Sequence, residues 1–247
     1  MDDLKNNQQI TELLDTLEQN GMQKEKGEVQ SLVDYIGDME NTLTAMLSEM
    51  QEMRKEVNLI HDSTLRAKCS NLVQKADGSI RTCIAAVGKA KDNFIASAAN
   101  AVKTFKEKGK EAFRSAVKAM KIPETLDKFG NLFQRFASEM RENVQNLESA
   151  RMEFAASKQH KVNARMLLLG KIPADKGTVK NDKGILAKLE VFIGKMARGF
   201  SSLESKTNNL ADKLRYDRVK ESVKADLDFL KGKPSERTSP EVSRDAR

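Results

Sequence analysis

Apolar residues recur at alternating steps of three and four from Val29 to Ile60, which makes five repeats of a heptad. Because a helix turns once per about 3.6 residues, this spacing keeps one apolar stripe facing a partner and predicts a coiled-coil helix. Val33 and Leu47 lie beside the stripe and widen it, which favours a bundle of three or more helices. The predicted seam consists of Val29, Leu32, Ile36, Met39, Leu43, Met46, Met50, Met53, Val57 and Ile60.

The methionines of this seam admit two interpretations. Met side chains repack easily, so Met39, Met46, Met50 and Met53 can form an adaptable groove for a partner protein. Residues at seam positions also fill the core of a bundle, and we favour core filling for these four. For the seam as a whole we predict association with a second copy of the chain or with a helical protein partner.

Similar spacing continues through the chain and predicts an all-α protein. Asn20-Gly21 and Pro123 mark helix ends, and Gly170 to Gly184 is a Gly- and Lys-rich loop. We predict an elongated antiparallel helical bundle or coiled coil of four or five long helices. Its predicted units are an acidic helical hairpin (1–62), a basic long-helix region (63–169), a basic loop or hinge (170–184), a C-terminal helix (185–231) and a disordered tail (232–247).

The first part of the basic long-helix region follows a different period. Apolar residues there recur at steps of eleven, as from Ile84 to Ile95 and from Val102 to Phe113. Eleven residues make three turns of about 3.67 residues each, a period typical of a straight or slightly right-handed helix. Within the stretch from Leu65 to Ile122, Gly78 is a candidate bend, and the pattern predicts one such helix after it.

The charge of the chain is divided between an acidic head and a basic body. Residues 1–60 hold 13 acidic and 5 basic side chains, a net charge of −8, while residues 61–247 hold 23 acidic and 38 basic ones, a net charge of +15. Opposite charges of this size favour attraction between head and body, within one chain or between two chains. The body alone is suited to polyanions.

Basic residues are densest on the long helix and in the loop. On the helix they alternate with Phe94, Phe105 and Phe113, and three interpretations stay open: a solvated flank of a bundle helix, a surface for nucleic-acid phosphates, or a helix lying on an anionic membrane. The candidate polyanion contacts are Lys103, Lys106, Lys108, Lys110, Arg114, Lys118, Lys121, Lys171, Lys176, Lys180 and Lys183.

Side chains suited to catalysis are scarce. His61 and His160, the only histidines, lie far apart in the sequence, so a histidine relay or a multi-histidine metal site has little material. Cys69 and Cys83 are about 21 Å apart along one predicted helix and cannot form a disulfide there. We predict no enzyme activity, cofactor, metal or small-molecule substrate. Since no apolar run reaches the roughly 18 residues of a membrane span, we expect a cytoplasmic protein.

Residues 10–53, ITELLDTLEQNGMQKEKGEVQSLVDYIGDMENTLTAMLSEMQEM, resemble the N-terminal part of a helical family of unknown function encoded on conjugative and other integrative elements of gut Firmicutes. The resemblance implies a cytoplasmic accessory protein of a mobile element and brings no activity or ligand with it. We therefore predict a non-enzymatic coiled-coil scaffold or interaction protein. The alternatives are binding to nucleic-acid phosphates through the basic body and peripheral binding to an anionic membrane.

Overall fold

The computed structural model describes residues 4–172 and 184–231, apart from the side chains at 217, 218, 221, 222 and 224–231. After a short 3₁₀ turn at Leu4–Asn6, the described elements are α1 (Gln8–Gln19), α2 (Gln23–Asn58), α3 (Ser63–Lys118), α4 (Ile122–Leu168) and α5 (Ile185–Lys231). The predicted all-α fold of long helices is confirmed. The predicted tail (232–247) and positions 173–183 of the predicted loop lie outside the described residues.

The four long helices run alternately up and down. Ion pairs fix their directions, because residue numbers rise along one helix of each pair and fall along the other. α4 and α5 share the longest contact, while α1 packs against α2 and α3. The ion pairs that define the helix directions are Glu40–Lys91 and Arg54–Asp77 between α2 and α3, Asp127–Arg215 and Arg151–Glu190 between α4 and α5, and Glu49–Lys195 and Glu56–Lys188 between α2 and α5.

Local signals set several helix ends. Gly21, in the left-handed region at φ 68°, follows the end of α1 as the Asn20-Gly21 pair predicts. The carboxylate of Asp62 accepts a hydrogen bond of 2.9 Å from the Leu65 backbone N–H and so caps the start of α3. Pro123 lies in the first turn of α4, where its missing N–H is tolerated.

α3 is broken at Gly109, where φ is 79° and ψ is −169°. Phe105 and Phe113 lie on either side of the break with ring centroids 5.3 Å apart. Eight residues of an unbroken helix rise about 12 Å, so this contact requires a sharp bend. The expectation of one straight helix between Gly78 and Ile122 is therefore wrong, because the break falls at Gly109 and the eleven-residue step from Val102 to Phe113 crosses two separate segments.

The predicted seam of α2 lies in the core of the same chain. Nine of its ten residues are buried, and Ile60 is half-buried against them. At Gly199 of α5, an added Cβ would lie only 3.3 Å from the Met46 sulfur, so the missing side chain brings α5 close to the seam. The seam methionines thus fill the core of the bundle, and covering the seam with another chain would require the bundle to open.

The acidic head and the basic body attract each other within the chain. Glu12 pairs with Lys106 at 2.6 Å, and Glu40 pairs with Lys91 at 3.2 Å. Glu49 and Glu56 of α2 both pair with lysines of α5, at 2.5 and 2.8 Å. Of the two predicted possibilities, the structure shows the intramolecular one.

Candidate interaction surfaces

α4 continues beyond the end of the bundle. α2 ends at Asn58, α3 begins at Ser63 and α5 begins at Ile185, while Phe154 is the last α4 residue to line a cavity of about 360 Å³ against α3 and α5. None of the described residues of α4 after Leu147 is buried. We call residues 152–169 the α4 extension, which is a helix of about 25 Å.

The α4 extension carries a heptad stripe of its own. The stripe has steps of three and four and is apolar at every position except Gln159. Met152, Val162 and Leu169 are 45, 48 and 61% exposed. This spacing is the signature of a helix that packs against another helix. The members of the stripe are Met152, Ala155, Gln159, Val162, Met166 and Leu169.

The stripe of the α4 extension faces away from the chain's own bundle. Met140 and Leu147 are buried in the bundle, and Phe154 continues their series at a step of seven. The next residue in that series is Lys161, a cation in a position that packs the core elsewhere on α4. The stripe of the α4 extension runs through Ala155. This residue follows Phe154 directly and therefore lies about 100° further around the helix than the core-facing series. The bundle therefore cannot bury this stripe along its full length.

A local motif ends the α4 extension. Gly170 is in the left-handed region at φ 66°, and its N–H donates to the Leu167 carbonyl at 3.0 Å. The Lys171 N–H donates to the Met166 carbonyl at 2.9 Å. These two bonds form a Schellman motif, which satisfies carbonyls at the end of the helix. Leu167, Leu168 and Ile172 beside it are all exposed.

The predicted polyanion contacts of α3 gather around its break and the turn into α4. Lys106 is paired with Glu12, and two others have acidic neighbours on α3 at 3.7 to 3.8 Å. All are exposed except Arg114, which is half-buried. Lys171 is exposed near the other end of the bundle, and Lys176, Lys180 and Lys183 lie outside the described residues. Within the described ranges, no ion pair involves Lys108, Lys110, Lys118 or Lys121.

The aromatic residues between these cations belong to the core rather than to a surface for base stacking. Phe94 and Phe113 are buried, and Phe105 packs against Phe113. A surface that binds single strands exposes its aromatic rings to the bases. Any contact of this region with a nucleic acid would therefore be to its phosphates.

A groove separates α3 from α4. It contains a cavity of about 450 Å³ between Phe94 of α3 and Phe129 of α4. This cavity is separate from the one of about 360 Å³ at Phe154. Lys89, Asn93, Thr125 and Lys128 contribute its polar lining. The groove is an opening on one side of the bundle, where α3 and α4 touch less than α4 and α5 do.

Three further observations concern metal ligands, membrane-spanning helices and thiols. Among the described residues, no three His, Cys, Asp or Glu side chains come together as metal ligands would. None of the described helices combines the length and the hydropathy needed to cross a bilayer. Cys69 and Cys83 are both buried free thiols.

Comparison with known proteins gives a family and no further relative. Residues 6–247 match the model of a family of unknown function, DUF6674, and the chain belongs to this family. Neither a curated protein nor a solved structure matches the chain. The match covers the whole bundle, the α4 extension included.

Proposed function

We propose that this member of the DUF6674 family is a non-enzymatic helical scaffold that binds a partner protein through its α4 extension. The observation that carries the proposal is the half-exposed heptad stripe from Met152 to Leu169, which is turned away from the bundle. A second helix along this stripe would remove its apolar surface from water, which favours association.

Site-specific photocrosslinking tests this function. The crosslinking residue p-benzoylphenylalanine replaces Val162 on the stripe and, as the matched control, exposed Ser157 on another face of the same helix. After irradiation in cells that encode the chain, we expect one adduct of defined mass from position 162 and none from position 157. Absence of an adduct at position 162 and also at Met152 would refute the proposal.

The biological setting is part of the proposal. The resemblance of residues 10–53 to proteins of integrative elements supports a role as a cytoplasmic accessory protein of a mobile element. A scaffold in this setting would hold its partner at one end of a bundle whose core is closed. The crosslinked partner, identified by mass spectrometry, tests the setting directly, because we expect it to be encoded on the same element.

A second candidate function rests on the basic end of α3. Lys108, Lys110, Lys118 and Lys121 are exposed, and none has an ion-pair partner in the described part of the chain. Such a cluster is suited to a phosphate backbone, whose binding weakens steeply as salt rises. Changing the four lysines to Gln should abolish duplex DNA binding at low salt. This second candidate function is refuted if the wild-type chain does not bind duplex DNA at low salt.

A further inference from the structure

The stripe of the α4 extension is flanked by cations on one side. In heptad notation Met152, Gln159 and Met166 occupy a positions, while Ala155, Val162 and Leu169 occupy d positions. The g positions that precede each a position are then Arg151, Lys158 and Arg165. Residues at g lie beside the seam and face the flank of the partner helix. All three are basic.

The other flank offers no compensating acid. The e positions hold Ala156, Asn163 and Gly170, and Glu153, the only acidic residue of the α4 extension, lies at b, outside the positions that flank the seam. Arg151 already pairs with Glu190 of α5. Lys158 and Arg165 are the two g cations that follow this ion pair along the α4 extension.

A second copy of the α4 extension fits this flank poorly. In an antiparallel pair the g positions of one helix face those of the other, so Lys158 and Arg165 would meet like charges. In a parallel pair they would face Ala156, Asn163 and Gly170, which offer no charge. Neither arrangement forms an ion pair across the seam, and like charges in contact disfavour association.

Building on the proposed function, we infer that the helix bound by the α4 extension belongs to a different protein and carries Glu or Asp along the edges of its apolar stripe. Acidic edges would meet Lys158 and Arg165 across the seam, as oppositely charged g and e residues do in coiled coils. The small side chains of Ala155 and Ala156 allow this helix to approach closely. Charge complementarity then determines which helix binds.

Three synthetic helices test this inference against the full-length chain. They share Leu at every a and d position and differ only at e and g, which hold Glu, Gln or Lys. Fluorescence anisotropy measures their affinities at about 50 and about 150 mM salt. We expect the Glu helix to bind at least about tenfold more tightly than the Gln helix, and the Lys helix more weakly than either.

Two double variants with the same change in net charge separate the flank from general electrostatics. Lys158→Glu with Arg165→Glu reverses both g positions, and we expect it to bind the Lys helix in preference to the Glu helix. Lys110→Glu with Lys118→Glu changes two exposed cations of α3, away from the α4 extension, and should keep the Glu preference. Circular dichroism checks that both variants retain the wild-type helix content.

Each other outcome overturns a stated part of the inference. Equal binding of the Glu and Gln helices refutes the acidic edges but leaves the proposed function standing, whereas binding of none of the three refutes both. An equal loss of the Glu preference in both double variants shows that the flank has no special role. If vesicles of phosphatidylcholine and phosphatidylglycerol capture the chain and Val162→Asp abolishes the capture, the occupant is a membrane and not an acidic helix.

Discussion

The rings of Phe105 and Phe113 lie 5.3 Å apart although eight residues separate them on α3. Gly109 makes this contact possible, because its φ of 79° and ψ of −169° belong to a region that essentially only glycine occupies. Phe113 is fully buried as a result, and the basic residues that follow it are brought back toward α4. The bend thus positions the whole basic end of the bundle.

Substituting Gly109 by Ala should destabilise the protein by about 1 to 3 kcal/mol, since a Cβ strains this backbone conformation. Gly88→Ala is the matched control, because Gly88 lies in the regular part of α3, where an added methyl group would have nothing within 4 Å. That change should stabilise the protein by about 0.5 to 1 kcal/mol. Urea unfolding followed by circular dichroism measures both. Equal effects would show that the bend is not fixed by Gly109.

Removing the buried cation of the head–body contact should cost more than removing an exposed one. The side chains of Lys91 and Glu40 are 10 and 17% exposed, so Lys91→Ala leaves a poorly hydrated carboxylate and should cost about 3 kcal/mol. Lys188, which pairs with Glu56 on the surface, is the control, and its change to Ala should cost less than about 1 kcal/mol. Similar losses from both variants in urea unfolding would contradict this assignment.

Tyr35 makes a buried polar contact between α2 and α5. Its hydroxyl donates to the Leu203 carbonyl at 2.8 Å and lies 2.5 Å from Thr207 Oγ1. Tyr35→Phe should therefore lower the free energy of unfolding by about 1 kcal/mol. The same change at exposed Tyr216 should have almost no effect. A loss at Tyr216 equal to that at Tyr35 would rule out the hydrogen bond as the cause.

The same tyrosine makes stability depend on alkaline pH. Burial raises the pKa of Tyr35 from 10.0 to about 12 and the pKa of Cys83 from 9.0 to about 12. The folded chain therefore holds these protons at pH values where the unfolded chain has lost them. The free energy of unfolding should fall as pH rises from 9 to about 12, by at most about 1.4 kcal/mol per pH unit for each group.

Tyr35→Phe separates the two contributions to this pH dependence. The variant should lose the part of the decline that begins near pH 10 and keep the part that begins near pH 9, which comes from Cys83 and from Cys69, whose pKa burial also raises. Urea unfolding at intervals of about half a pH unit, with pH 8 as the reference, follows both. An unchanged slope above pH 10 in the variant would contradict the burial of the Tyr35 hydroxyl.

The long helices could be predicted because their signals are local. The heptad from Val29 to Ile60 specifies one apolar face, and Asp62 and Pro123 specify where the next helices begin. Which helices cover that face depends on contacts distant in sequence, such as the close approach of Met46 to Gly199. For this reason the sequence predicted a seam open to a partner, while the fold closes the seam within the chain.

Two other features escaped prediction for different reasons. Gly109 lies between lysines and glutamates that favour a helix, and the eleven-residue spacing from Val102 to Phe113 continues across it by coincidence. The α4 extension did leave a signal. Lys161 occupies a position that is apolar at Met140, Leu147 and Phe154, which shows that the core-facing stripe ends there. The stripe of the α4 extension is recognisable only when the heptad register is shifted by one residue, from Phe154 to Ala155.

Hydrogen–deuterium exchange on the dilute, purified chain tests most directly whether the α4 extension lies outside the bundle. An isolated helix of this length is marginally stable in water, so amides 152–168 should exchange much faster than amides 126–147 of the same helix. Addition of the Glu helix should slow exchange in 152–168 and leave 126–147 unchanged. Equal protection of the two segments in the chain alone would show that this part of α4 is already packed, and that no free docking helix exists.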